Sequence, residues 1–255
     1  LPPSSEFDRL CVVLVATRNP LNIGAAARAM SNLGFLRLRV VNPFEASFRE
    51  ARSGVGAAPV LASAEEYKSV ADAVADCSLI VGTTAVRYRE LQHPLKLLPL
   101  GAPIIRKQLR SGGRVALLFG SEKRGLSNDD LSHCHWLMHI PTREEHISMN
   151  LGQAVAVCLY ELVRDAGSTR SGAQGKTTQK AEKLEPAAAG EIERITLMLL
   201  DALRASGYLG QRSIAAKEEK IRRMVRRLNL SASDADIWLG MLRQMVWKMK
   251  QQNDQ

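Results

Sequence analysis

The sequence predicts an α/β fold followed by a small helical extension. Three observations carry this. Short valine- and leucine-rich runs recur as far as Phe119, near-continuous rather than alternating, as in parallel strands covered on both faces. Most break into polar loops bearing Gly, Asn or Pro, and helical patterns lie between them. Beyond residue 190 only helical periodicity remains.

Leu10–Ala16 (LCVVLVA) is the first strand. The turn-rich stretch Thr17–Gly24 follows, then a helix over AAARAMSNLG with Gly34 as its stop, then a strand at Leu36–Val41. This β-loop-α-β unit is expected to be a right-handed crossover. Arg28 then sits about one turn above the loop, within reach of a phosphate or carboxylate, although spacing alone favours an ordinary exposed arginine. Ser63–Ala75 is expected to be a short helix with a Ser63/Glu66 capping box. Cys77–Gly82 is the next strand, and Arg87 and Arg89 follow its carboxyl end. IIRKQLR is a basic helix stopped by Gly112-Gly113, and Arg114–Phe119 is the fourth buried strand.

Leu117–Glu161 is the densest stretch. Gly120 lets a ligand or another loop approach the backbone closely. In Ser121–Gly125 the cations suit phosphates and Glu122 suits a donor. Trp136–Ile140 is a short strand ended by Pro141. Ser148 or Asn150 caps a strongly apolar helix, Gln153–Val163. Two loops beside two strand ends, the second feeding a helix, make a small-molecule site.

Residues 1–165 are read as the main domain, 166–190 as a flexible linker almost free of large apolar side chains, and 191–255 as a three-helix extension. Within the extension Arg222, Arg223, Arg226 and Arg227 form a basic row suited to RNA phosphates, or to water as an ordinary solvated face. Ser233–Asp236 is expected to cap the last helix.

Composition narrows the chemistry. Lys plus Arg number 35 against 26 Asp plus Glu, a formal charge of +9, which leans towards a polyanionic partner. The four cysteines are widely spaced, so a reducing compartment without disulfides is expected. No apolar run is long enough for a membrane span, and LPPSSEFDRL lacks the pattern of a secretory signal, so a cytoplasmic setting is expected. His133, His135, His139 and His146 lack the spacing of a zinc site, and no metal is expected. Neither GxGxxG after the first strand nor GxxxxGK[ST] occurs. These observations suit an enzyme acting on RNA or a non-catalytic RNA-binding module.

Three motifs in order narrow the choice: NPLNIGAAAR at Asn19–Arg28, LFGSEKRG at Leu118–Gly125, and Ile140-Pro141 followed by SMNLGQAVA at Ser148–Ala156. Together they resemble the SpoU/TrmH class of SPOUT RNA 2′-O-ribose methyltransferases, over about Leu10–Arg164. The resemblance implies a trefoil-knotted α/β domain, S-adenosylmethionine bound in the knot loops, and a homodimer whose active sites combine both subunits. It implies catalysis by Arg28 with Ser148 and Asn150. It implies cofactor contacts from Thr83, Gly120, Glu122, Ile140, Ser148 and Met149. It implies RNA contacts from Asn22, Arg87 and Arg89. Within the class the chain is most similar to enzymes acting on nucleotide 32 of the tRNA anticodon loop; ribosomal RNA is the alternative substrate.

Overall fold

Seven parallel strands form one sheet in the computed structural model, which describes residues 6–43, 48, 59–85, 92–164, 185–209 and 214–253. The order is β3-β2-β1-β6-β4-β7-β5. The strands are β1 (Leu10–Val15), β2 (Arg37–Val41), β3 (Glu65–Tyr67), β4 (Leu79–Thr83), β5 (Leu95–Leu97), β6 (Val115–Phe119) and β7 (Trp136–His139). The sequence-predicted α/β class is thus present, with a helical extension after it.

β1 is the axis of the sheet. It pairs with β2 on one side (Cys11 opposite Arg37) and with β6 on the other (Leu10 opposite Val115). All six of its residues are buried, and they alternate between two cores. Leu10, Val12 and Leu14 enter one, with α1 (Pro20–Leu33), α4 (Leu98–Arg110) and α6 (Leu151–Arg164). Cys11, Val13 and Val15 enter the other, with α3 (Val70–Ala73) and α5 (Asn128–Ser132). This double burial explains the unbroken apolar run, and each such aliphatic side chain contributes roughly 1.5–3 kcal/mol. All four cysteines are free and buried.

Several boundaries differ from the sequence reading. α1 starts at Pro20, not after Gly24: Asn19 caps it by accepting from the Leu21 N–H, and Pro20 takes the first turn. Arg28 therefore lies two turns into the helix. Ser63–Ala75 is not one helix. Its Ser63 hydroxyl donates back to the Pro59 carbonyl of α2 (Pro59–Ala62), and Glu65 is drawn into edge strand β3. The cause is Arg39, 4% exposed, whose guanidinium binds both Asp76 oxygens (2.6 and 2.9 Å) and Glu65 (3.2 Å). The true cap there is Ser69 with Asp72. β5, three residues between Pro94 and the proline-bearing start of α4, was not expected as a strand.

The extension comprises α7 (Ala189–Ala205), α8 (Ile214–Arg227) and α9 (Ala232–Asn253), around a core of Ile192, Ile195, Val225, Ala235, Leu239 and Leu242. α9 is capped by Ser231 with Asp234, two residues before the expected pair. The expected linker ends early. Ala187 N–H bonds to Leu230, Ala189 N–H to Cys77 and Gly190 N–H to Ala75, so 185–190 is packed between both units. Residues 166–184 lie outside the described residues.

Three of the four arginines in the basic row of α8 are turned inward rather than towards RNA or water. Arg226 is 2% exposed, and none of its guanidinium nitrogens has a hydrogen-bond partner; Glu193 lies 3.6 Å away. Arg222 bonds Glu193, Asp129 and Ser132, so it clasps α8 to both α7 and α5. Arg223 bonds Gln92 and lies 3.7 Å from Glu219. Only Arg227 of the four is exposed. An acid on α7 has turned most of the row inward, which the row's own spacing cannot reveal.

His133 is buried in this clasp, 3.7 Å from Glu193. Burial, then the charges of Arg226 and Arg222, push its pKa down to about 3. The unfolded chain therefore takes up a proton near pH 6.5 that the folded chain refuses until about pH 3. Stability is complete above pH 6.5 and falls below it, by up to about 1.4 kcal/mol per pH unit for this group. Burial also lowers His93, with the same sign. Melting temperatures should hold from pH 7.5 to about 6.5 and fall from there to pH 5, and His133→Asn should lessen the fall.

Candidate active site

Parallel strands direct their carboxyl ends to one edge, where the loops after β1, β4, β6 and β7 meet. A cleft of about 650 Å³ opens there. Asn22, Thr83, Gly120, Glu122, Ile140, Ser148, Met149 and Asn150 all line it. Residues up to 128 positions apart in sequence are therefore brought together at one place.

A hydrogen-bonded relay locks three of these loops. Glu122 accepts from the Arg18 N–H (3.4 Å), the Asn19 N–H (3.3 Å) and the Asn22 amide (3.0 Å). The Asn22 side-chain oxygen in turn accepts from the Asn150 amide at 2.8 Å. The Asn150 oxygen accepts from the N–H groups of Gly152 and Gln153, capping α6. Both ends of the relay fix its direction: a carboxylate only accepts, and a helix cap must accept. Burial alone would raise the Glu122 carboxyl, but these donors outweigh it and hold its pKa below the ordinary carboxylate range. The group is an anion whose charge is spent on the loop after β1.

The turn carrying Glu122 is itself braced. Ser121 bridges Gly125, and the Gly125 N–H bonds the Ser121 carbonyl at 2.8 Å. Gly125 adopts φ +66°, and a Cβ on Gly120 would stand 2.0 Å from the Gly125 carbonyl carbon. The close approach expected at Gly120 is thus filled by a returning stretch of its own loop. On the opposite wall Thr83 donates to the Leu118 carbonyl, tying β4 to β6. α6 lies close on α1, where a Gly152 Cβ would meet the Ala25 methyl at 2.6 Å.

Arg28 is exposed on α1 and does not line this cleft. Arg87 and Arg89 lie outside the described residues. The sequence reading missed Thr84, Ala85, Thr142 and Ile147, which also line the cleft. Thr84 and Ala85 directly follow β4, so the strand-end rule itself was the available signal. The His139 ring Nδ1 lies 3.0 Å from the Thr84 carbonyl, joining the ends of β7 and β4. His135 Nδ1 instead accepts from the Ile80 N–H.

Comparison with known proteins agrees with this geometry. Residues 9–160 match the model of the SpoU rRNA Methylase family. The chain is 35% identical over 232 residues to the tRNA (cytidine/uridine-2′-O-)-methyltransferase TrmJ of Yersinia enterocolitica, covering 91% of this chain and 89% of that one. It is 36% identical over 246 residues to the tRNA (cytidine/uridine/adenosine-2′-O-)-methyltransferase TrmJ of Pseudomonas aeruginosa, covering 92% and 93%. The crystal structure of TrmJ from Z. mobilis ZM4 superposes with a TM-score of 0.76 at 29% identity, over 92% of this chain and 98% of that one. With the motif residues other than Arg28 gathered around one cleft, the chain belongs to the SpoU/TrmH class of SPOUT RNA methylases and is TrmJ-like within it.

Proposed function

We propose that the chain transfers a methyl group from S-adenosylmethionine to a ribose 2′-hydroxyl of tRNA, at nucleotide 32 of the anticodon loop, as a cytoplasmic homodimer. The observation that carries this reading is the Glu122–Asn22–Asn150 relay at the cleft. The TrmJ relatives support it, since they align with nearly the whole chain. Among the described residues no helix is long and apolar enough to cross a membrane.

The cleft suits the cofactor. Its volume is in the usual range for a small-molecule site. Phe119, Leu126, Met138, Ile140 and Met149 offer apolar surface for a purine, while Thr83, Glu122 and Ser148 offer polar groups for a sugar and an amino acid. Gly120 keeps the turn that carries Glu122 closed. Bound there, S-adenosylmethionine supplies an activated methyl group to the ribose 2′-oxygen. The chain's own work is orientation and charge. Ser148 and Asn150 orient the ribose, Asn22 meets the RNA beside it, and Arg87 and Arg89 assist in substrate handling. Arg28 stabilises the negative charge that grows on the 2′-oxygen. A guanidinium hardly deprotonates, so Arg28 is not the base.

Arg28 lies outside its own cleft and so serves that of a second copy. α4 and α6, which pack together, expose Leu100 and Ile104, and Val157 and Tyr160, an apolar surface for that copy. The reading includes the trefoil knot: β7 lies between β4 and β5, and α6 then crosses back to α1. Ribosomal RNA is the second reading, favoured by the description of the matching family. The test is methyl transfer by the full chain to unmodified tRNA and to rRNA, with the product mapped by mass spectrometry. One methylated ribose at tRNA nucleotide 32 is expected. Methylation confined to rRNA would select the second reading, and no transfer to either would refute both.

A further inference from the structure

The arginines of α8 are mostly occupied within the protein, so an RNA contact on the extension has to be sought elsewhere. α9 offers one. Its inner side, Ala235, Leu239 and Leu242, packs in the extension core. Trp247 lies roughly 140° around the helix from Leu242 and is 52% exposed. The other two tryptophans behave differently: Trp136 is buried and Trp238 packs against the extension core. Around Trp247, at helical spacings of three and four, stand Gln244, Arg243, Lys250 and Gln251, all exposed. Gly240, two turns back, leaves open space where a side chain would stand. From Ile237 to Asn253 the chain holds no acid at all, and Arg243 and Lys250 have no carboxylate partner among the described residues.

An exposed indole ringed by cations and amides, on a stretch free of acids from Ile237 to Asn253, is complementary to single-stranded nucleic acid. The ring stacks on a base face, and the cations meet the flanking phosphates. We propose that this face of α9 is an RNA-contact surface on which Trp247 stacks against an unpaired base while Arg243 and Lys250 hold the adjacent phosphates. The inference rests on the RNA-methylation reading and adds to it the place where the extension grips its substrate. It also moves that grip from α8 to α9.

The test uses the full-length protein and unmodified tRNA, with binding followed by fluorescence anisotropy over a salt series. Trp247→Ala should weaken tRNA binding on the order of 10-fold. Trp247→Phe, which keeps a stacking ring, should restore most of that loss. Arg243→Ala with Lys250→Ala should reduce the slope of log affinity against log salt by about 1.5. Calorimetric affinity for S-adenosylmethionine should be unchanged in all three. tRNA should quench the tryptophan emission of the wild type far more than that of Trp247→Phe. Unaltered tRNA affinity and salt slope in the alanine variants would overturn the proposal. So would Trp247-dependent binding to anionic phosphatidylserine vesicles with tRNA affinity intact, which would assign the patch to a membrane surface. A wild-type protein that methylates no RNA would instead remove the underlying function.

Discussion

Arg28→Ala should lower kcat for methyl transfer by a factor on the order of 100 to 1,000 while S-adenosylmethionine affinity stays at the wild-type value. The expectation follows from charge. A sugar hydroxyl is a poor nucleophile at neutral pH, so the transition state gains from a fixed cation beside the oxygen. Arg28 sits on α1, does not line its own cleft, and offers a planar, delocalised guanidinium. Arg28→Lys keeps the charge but loses the planar fork, and should recover part of the rate. Mixing gives a sharper readout. Arg28→Ala and Asn150→Ala chains should each keep only a trace of activity alone. Random re-association should recover about a quarter of wild-type activity, because half the dimers then hold one intact composite site. Activity that stays at that trace on mixing would mean that Arg28 acts within its own chain.

Gly120→Ala should strongly weaken cofactor binding and lower the melting temperature. The added methyl would stand 2.0 Å from the carbonyl carbon of Gly125 and 2.2 Å from the Leu126 nitrogen. Both are backbone atoms, so no side-chain rotation relieves the clash. The turn must open, and Glu122 then leaves Asn22 and the two N–H groups after β1. A loss in S-adenosylmethionine affinity of about 100-fold or more is expected by calorimetry. Gly24→Ala is the matched control: it lies inside α1, and its new methyl meets nothing within 4 Å. That change should be neutral or stabilise by up to about 1 kcal/mol. Equal behaviour of the two variants would refute the steric argument.

Strands β1, β2, β4, β6 and β7 were legible because burial writes an apolar run, as in Leu10–Val15, whereas β3 and β5 lack that burial. The cleft was legible because its residues fall at strand ends and in three ordered motifs. What escaped the sequence depends on partners distant in the chain. Glu65 joins the sheet edge because Arg39, in β2, needs a carboxylate. Arg226 is buried because Glu193 stands on the facing helix. The start of α1 escaped for a local reason, since Asn-Pro signals a turn and a helix cap alike. Nothing in the sequence separates Trp247 from a core tryptophan; only its exposure does.

The relay from Glu122 through Asn22 to Asn150 has a consequence for the order in which the molecule is made. Asn22 leaves the ribosome early, with β1, α1 and β2, yet its two side-chain partners lie 100 and 128 residues further along. β1 likewise waits for β6 on one side. Synthesis at about 5–20 residues per second puts several seconds between the first loop and the residues that fix it. During that interval the nascent chain has the halves of a cleft but no cleft. The site closes only when α6 begins, so a truncated product ending before Asn150 carries no assembled site.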